Sequence, residues 1–216
     1  MNRAERKGVC VMNLTVNRFG GVLIGSPRGS IAVNGGGTLE EMEKAYLHKD
    51  IPLIGLVLTS EHINRSRNVE LFAKKHHIPV LSSFIVQCNM KFHDVPVLYC
   101  FPPAEVNLYG VKIRMLHIRY DSVDPVYLIV EADGKAGIVI DGKLNETSAE
   151  PLMYCDDLVL LNRCAIRESM PLRLIRRVQS VYNSEQELRS LFRNYHGNAI
   201  YAQGETLSKK LDAKEA

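Results

Sequence analysis

LVLTSEHINRSRNVELFAKKHHIPV, residues 56–80, sets the reading of the whole chain. Leu56-Val57-Leu58 is an uninterrupted apolar run, the signature of a strand buried in a core. Thr59-Ser60-Glu61-His62-Ile63-Asn64-Arg65 follows as a polar turn. Residues 66–77 carry a helical pattern, and Ile78-Pro79-Val80-Leu81 opens a second short strand. A strand, a polar turn, a helix and another strand make a unit of mixed α/β type.

Working outward, strand signals open the chain at 9–16 and 21–25, and again at 29–34 after a Ser26-Pro27-Arg28-Gly29 turn. Gly35-Gly36-Gly37 breaks the chain before Thr38, an N-cap with Glu41 three residues on, the spacing of a capping box. The helix from Thr38 to Lys49 sets Leu39, Met42, Ala45 and Tyr46 on one face. From 84 to 110 the signal is weaker, with short strands at Val97–Cys100 and Asn107–Tyr109. Strands return at 111–118, 125–131, 136–141 and 158–162, the middle two joined at Asp133-Gly134 as a hairpin. Amphipathic helices follow near 171–180 and 184–195, then a strand at 199–202 and a charged C-terminal helix to 216. The pattern gives one mixed α/β domain over 1–216.

Composition narrows the class. With 216 residues, 46% apolar and 24% charged, the chain is an ordinary globular protein with a substantial core. A net charge of +3 permits contact with a polyanion without arguing for it. No apolar run approaches the roughly 18 residues of a spanning helix, so no membrane is expected. The N-terminal MNRAERKGVCVMNLTV alternates like a strand, which speaks against a signal peptide. Cys10, Cys88, Cys100, Cys155 and Cys164 are odd in number and contain no C-x-x-C pair. They read as buried reduced thiols of a cytoplasmic protein.

The 59–65 turn resembles the T-H-x-H-x-D-H turn of the metallo-β-lactamase superfamily, closest to its small bacterial single-domain, nuclease-like hydrolases. Further landmarks recur in the same order. Ile31-Ala32-Val33-Asn34-Gly35-Gly36 stands where the family has L-V-D-A-G, with Asn34 at a supporting Asp. Arg119-Tyr120-Asp121-Ser122-Val123-Asp124-Pro125-Val126 resembles S-H-D-A-A-D-P-V, with Tyr120 at a ligand His. Gly137-Ile138-Val139-Ile140-Asp141 keeps G-x-x-x-D, whose Asp bridges two metals. Leu160-Leu161-Asn162-Arg163-Cys164 replaces E-x-N-H-D, and Gln203 stands for the last ligand His. The resemblance covers about 8–205 and implies a four-layer αββα sandwich of α/β (α+β) class, with a metal-dependent hydrolase of phosphodiesterase or nuclease type as ancestor.

The ligand positions are largely lost. His62 and Asp141 survive, whereas Ser60, Asn64 and Arg65 replace His, Asp and His. Two ligands, with Ser60 and Tyr120 as poor neutral substitutes, fall short of the three or so that hold each divalent ion. Arg65 has two readings. Its guanidinium can replace the lost cations by a bidentate contact to Asp141, which would otherwise be a stranded buried charge. Alternatively it points to solvent, since a helix start does not favour a cation. His117, three residues before Tyr120, falls on the opposite face of a strand from it. His76 and His77 suit a helix C-terminus.

Arg173, Arg176 and Arg177 lie at helical spacing in the most basic run of the chain and are a candidate polyanion contact; a solvated helix face is the simpler reading, since a charge run is usually only that. Tyr182 alone is too little for a base-stacking surface. The triple glycine lacks the lysine and spacing of a P-loop, and no G-x-S-x-G elbow occurs.

Two functional expectations result. One is a non-catalytic pseudoenzyme that binds or scaffolds a protein partner or a second copy of itself, with no cofactor and weak support for nucleic acid. The other is a divergent hydrolase that assembles zinc or manganese on His62 and Asp141 with His117, Asp121 or Asp124. A metal-free acid–base pair of Asp141 and His62 has no positive signal.

Overall fold

The computed structural model describes residues 12–162, 170–203 and 206–210, with side chains over 12–161 and 170–200. Two β-sheets face one another. The first runs β1 (Asn13–Val16), β2 (Val22–Ser26), β3 (Gly29–Val33), β4 (Leu53–Val57), β5 (Val80–Ser83) and β6 (Val97–Cys100) in sequential spatial order. β1 to β3 form an antiparallel meander, and β3 to β6 are parallel. The second sheet runs, from one edge to the other, β13 (Thr206–Lys210), β12 (Asn198–Gln203), β11 (Asp157–Asn162), β10 (Lys135–Val139), β9 (Val126–Glu131), β8 (Val111–His117) and β7 (Ala104–Leu108).

Three apolar layers hold these sheets. Between them lie Val22, Ile24, Ile31, Val33, Val57 and Leu81 from one sheet and Ile113, Met115, Leu128, Val130, Ile138 and Val159 from the other. The outer face of the first sheet is covered by α1 (Leu39–Tyr46), α3 (Val69–His76) and α4 (Phe84–Met90), through Met42, Tyr46, Phe72 and Val86. The outer face of the second is covered by α5 (Glu146–Ala149), a 3-10 helix (Glu150–Tyr154) and α7 (Glu185–Leu191), through Leu152, Leu188 and Phe192. The result is the αββα sandwich expected above. Strands β3, β4 and β5 read as continuous apolar or small residues because both faces are covered, one by helices and one by the opposite sheet.

Local signals explain most of the boundaries. Thr38 Oγ1 accepts from the Glu41 amide, and the Glu41 carboxylate accepts from the Thr38 amide, so the capping box forms. The β7–β8 hairpin turns at Tyr109 and Gly110, with φ of 50° and 88°, which matches the right-handed strand twist.

Four expectations are corrected. The helix expected at 66–77 is α3, which starts only at Val69, and the expected turn before it contains a separate single turn, α2 (Ile63–Ser66); the two part where Asn68 adopts a left-handed φ of 59° and its side-chain amide donates to the Gly37 carbonyl at 2.8 Å. α4 was not foreseen. The strand at 107–109 is displaced to 104–108 by the turn at Tyr109-Gly110. Within the stretch expected to be a charged terminal helix, 206–210 pairs antiparallel with β12 instead, through a bulged ladder along what would otherwise be an open strand edge; 211–216 lies outside the described residues. Among the described residues, no helix is long and apolar enough to cross a membrane.

Candidate functional site

The site assembles where the ends of β4 and β10 meet. Thr59 and Ser60 follow β4 into α2, whose N-cap is His62. The amides of Arg65 and Ser66 donate to the His62 carbonyl at 2.7 and 3.0 Å, and Ser66 Oγ reaches the same oxygen, which closes this single turn. The loop after β3 clamps it from behind. Gly35 donates to the Arg65 carbonyl and Gly36 to that of Arg67. Gly36 has φ of +110°, and a Cβ there would overlap the Asn64 carbonyl oxygen, so the close approach requires glycine.

Asn34 fixes the start of the same turn. Its Oδ1 accepts from the Thr59 amide at 2.9 Å, and its Nδ2 donates to Thr59 Oγ1 at 2.9 Å. The Tyr46 hydroxyl donates to the Asn34 carbonyl at 2.6 Å. A fully buried Asn at a left-handed φ of 62° is tolerated because its side chain and main chain are both bonded.

Arg65 turns inward. Its Nε lies 2.6 Å from Asp141 Oδ2 and its Nη2 lies 2.9 Å from Oδ1, a bidentate contact between side chains that are each only 6% exposed. Of the two readings of Arg65, the paired one is found. Burial works against the guanidinium's charge; the hydrogen bonds and charge of Asp141 overcome it and hold Arg65 above the ordinary arginine range. Asp141 follows β10, so the pair joins the ends of the two sheets.

An aromatic shell continues from the pair. The Tyr182 hydroxyl lies 3.3 Å from Asp141 Oδ1 and 3.1 Å from the Tyr120 hydroxyl. The Tyr120 ring stacks edge-to-face on Tyr182 at 5.5 Å and on His62 at 5.2 Å. His62 Nε2 faces the Asp121 carbonyl at 2.5 Å. A carbonyl only accepts, so Nε2 carries the proton and the ring's lone pair lies on Nδ1. Glu61 pins the turn to the same loop, accepting from Ser122 Oγ and from the Val123 amide.

The remaining sequence candidates sort as follows. Ser60 is buried, and its Oγ has no partner among the described residues. The Asn64 side chain is exposed, as its position on the outer side of α2 dictates. His117 does not enter the cluster: Nε2 faces the Pro102 carbonyl at 2.8 Å and Nδ1 faces Asp124 at 3.3 Å. Arg173, Arg176 and Arg177 are exposed on α6 (Leu172–Val181), and Arg177 pairs with Asp121 at the rim of the cluster. Gln203 ends β12, with its side chain outside the described set, as are Arg163 and Cys164. Tyr182 and Glu61 were not read as part of the site. Tyr182 lies 41 positions from Asp141 in sequence and carries no motif, whereas Glu61 stood inside the quoted turn as an unexploited carboxylate.

The donor set does not fit a two-metal centre. Both Asp141 oxygens are engaged by the Arg65 guanidinium. Among the described residues, no group of three or more His, Cys, Asp or Glu is placed to hold a metal ion.

The fold is nevertheless specific. A metallo-β-lactamase fold protein, YhfI from Bacillus subtilis, superposes with a TM-score of 0.68 over 91% of this chain and 84% of its own, at 11% identity. The chain has the metallo-β-lactamase fold. Zinc-bound PqqB from Methylobacterium extorquens gives 0.68 over 86% and 75% at 8% identity, and human tRNase Z, short form, gives 0.62 over 85% of each chain at 9% identity. No family model and no curated protein sequence matches the chain.

Proposed function

We propose that this protein is a non-catalytic member of the metallo-β-lactamase fold, a binding or scaffolding protein in which a buried ion pair replaces the metal centre. The Arg65–Asp141 pair carries this reading. A divalent cation at Asp141 would have to displace a guanidinium that already satisfies both carboxylate oxygens. The phenols of Tyr120 and Tyr182 line the same place, and a phenol that keeps its proton is a poor metal ligand.

Structural neighbours with hydrolytic names, such as tRNase Z, make phosphodiester cleavage the activity to test against. The divergent-hydrolase reading needs His117, Asp121 or Asp124 to complete a site with His62 and Asp141. His117 and Asp124 instead face one another, and Asp121 is bound by Arg177.

The test is elemental analysis of purified, untagged protein, with hydrolysis assays on bis-p-nitrophenyl phosphate and single-stranded RNA and DNA in added zinc or manganese. The expected outcome is substoichiometric zinc, manganese and iron and no turnover. One equivalent of tightly held metal, or turnover abolished in His62→Ala, overturns the reading in favour of the hydrolase.

A further inference from the structure

One edge of the first sheet, at β6, carries exposed aromatic residues. β6 is the outermost strand there, and among the described residues no strand pairs with its outer side. Exposed strand edges are normally protected by a charge, a proline or a bulge, because their unpaired amides and carbonyls template further pairing. Val97-Leu98-Tyr99-Cys100 itself carries no charge, proline or bulge and pairs regularly with β5 over all four residues; its protection is limited to its shortness and to the flanking Pro96 and Pro102-Pro103. At the two edges of the second sheet, β13 carries Lys209 and Lys210 and β7 carries Glu105; β1, at the other edge of the first sheet, is uncharged but lacks exposed aromatic residues.

The same edge is apolar on its face. Tyr99 is 59% and Phe101 66% exposed, while Phe84, Ile85 and Leu98 are 39–45% exposed. The rings form one cluster: Phe84 lies 5.4 Å from Tyr99 and 5.1 Å from Phe101, centroid to centroid. Tyr99 and Phe101 are two residues apart, so they leave the backbone on one side, where Phe84 at the head of α4 meets them.

We infer that β6 is a homodimer interface, in which β6 pairs antiparallel with β6 of a second copy about a two-fold axis perpendicular to the sheet. That axis follows from the pairing itself. Identical edge strands related by two-fold symmetry run antiparallel, and the axis leaves both aromatic clusters on the same face of a continuous sheet, in contact with each other. The area argues for a second copy. With about 150–250 Å² for a fully exposed aromatic side chain, the five residues offer on the order of 500 Å² per chain. Two copies then bury roughly 1,000 Å², the lower bound for a specific interface, before the strand backbone is counted. A self-complementary contact also fits the absence of charge in β6, since each residue near the axis meets its own image and a charge would face itself.

The proposal is independent of the fate of the metal site. It is tested on the full chain by analytical ultracentrifugation over a wide concentration range. The parent is expected to sediment as a dimer that dissociates on dilution. Tyr99→Lys and Phe101→Ser should each weaken it by roughly thirtyfold, the effect of removing an aromatic hot spot. Leu172→Lys, an exposed apolar position on α6, should leave it intact. Circular dichroism melts check that the variants fold. A second readout needs no variant: amides 97–100 should exchange more slowly in concentrated parent than in dilute parent. A parent that stays monomeric overturns the proposal and leaves this face to a different protein. A dimer indifferent to both substitutions, or β6 exchange independent of concentration, also overturns it.

Discussion

Cys88 and Cys155 show how differently one residue type is placed in this molecule. Cys155 packs under the 3-10 helix against the second sheet, and burial pushes its thiol up to about 11. Cys100, in the core between the sheets, is also raised, first by burial and then by the charge of Asp124. Cys88 is exposed on α4, so the expectation that all five thiols are buried fails there, because the helix turns that position to solvent. The thiolate is the reactive form, so brief alkylation of native protein at neutral pH should modify Cys88 and spare Cys100 and Cys155. Peptide mapping checks this, and labelling of Cys155 at the rate of Cys88 would contradict its burial. Residue by residue, the site was legible where a motif fixed the spacing. Arg65, Asp141, Asn34 and His62 were found by their places in ordered landmarks, and Arg65 by the further argument that a stranded carboxylate needs a cation. Tyr182 was not, because its partners are distant in sequence and no local rule selects one tyrosine after a helix.

Helices α1 and α3 are joined by Glu43, whose Oε1 lies 2.6 Å from Lys75 Nζ and 2.7 Å from His76 Nε2. Hydrogen bonds from Lys75 and then His76 lower the Glu43 carboxyl below its ordinary 4.5. A carboxyl lowered in the folded state contributes stability above its unfolded value and loses it as pH falls through the folded one. Glu43→Gln should therefore lose less melting temperature than the parent between roughly pH 5 and pH 3, because one acid-labile contact is already absent. Parallel melts across that range would show it; equal losses would mean that the clasp contributes nothing. The elements read correctly were those with strong periodicity or a complete cap, such as the box at Thr38 and the apolar run of β4. α4 was missed because Phe84-Ile85-Val86 looks like a strand, although Ser83 caps it through a 3.3 Å bond to the Val86 amide. β13 was misread because charge and helix propensity in a tail say nothing of the open strand edge beside it.

At the scale of the whole molecule, the two sheets share an apolar core and meet at one polar joint. The turn after β4 reaches across it four times: Arg65 to Asp141, Glu61 to Ser122 and Val123, His62 to the Asp121 carbonyl, and the Thr59 carbonyl to the Val126 amide. The carboxylate that follows β10 is neutralised there by a guanidinium from the opposite sheet. The joint is therefore an electrostatic element of the fold, with a cost when one half is removed. The most direct test is a double-mutant cycle by denaturant unfolding of the parent, Arg65→Met, Asp141→Asn and the double variant. Each single variant should lose about 3–5 kcal/mol, because it strands a buried polar or charged partner. The double variant should lose clearly less than the sum. Additive losses, or single variants as stable as the parent, would contradict the replacement of the metal centre by this ion pair.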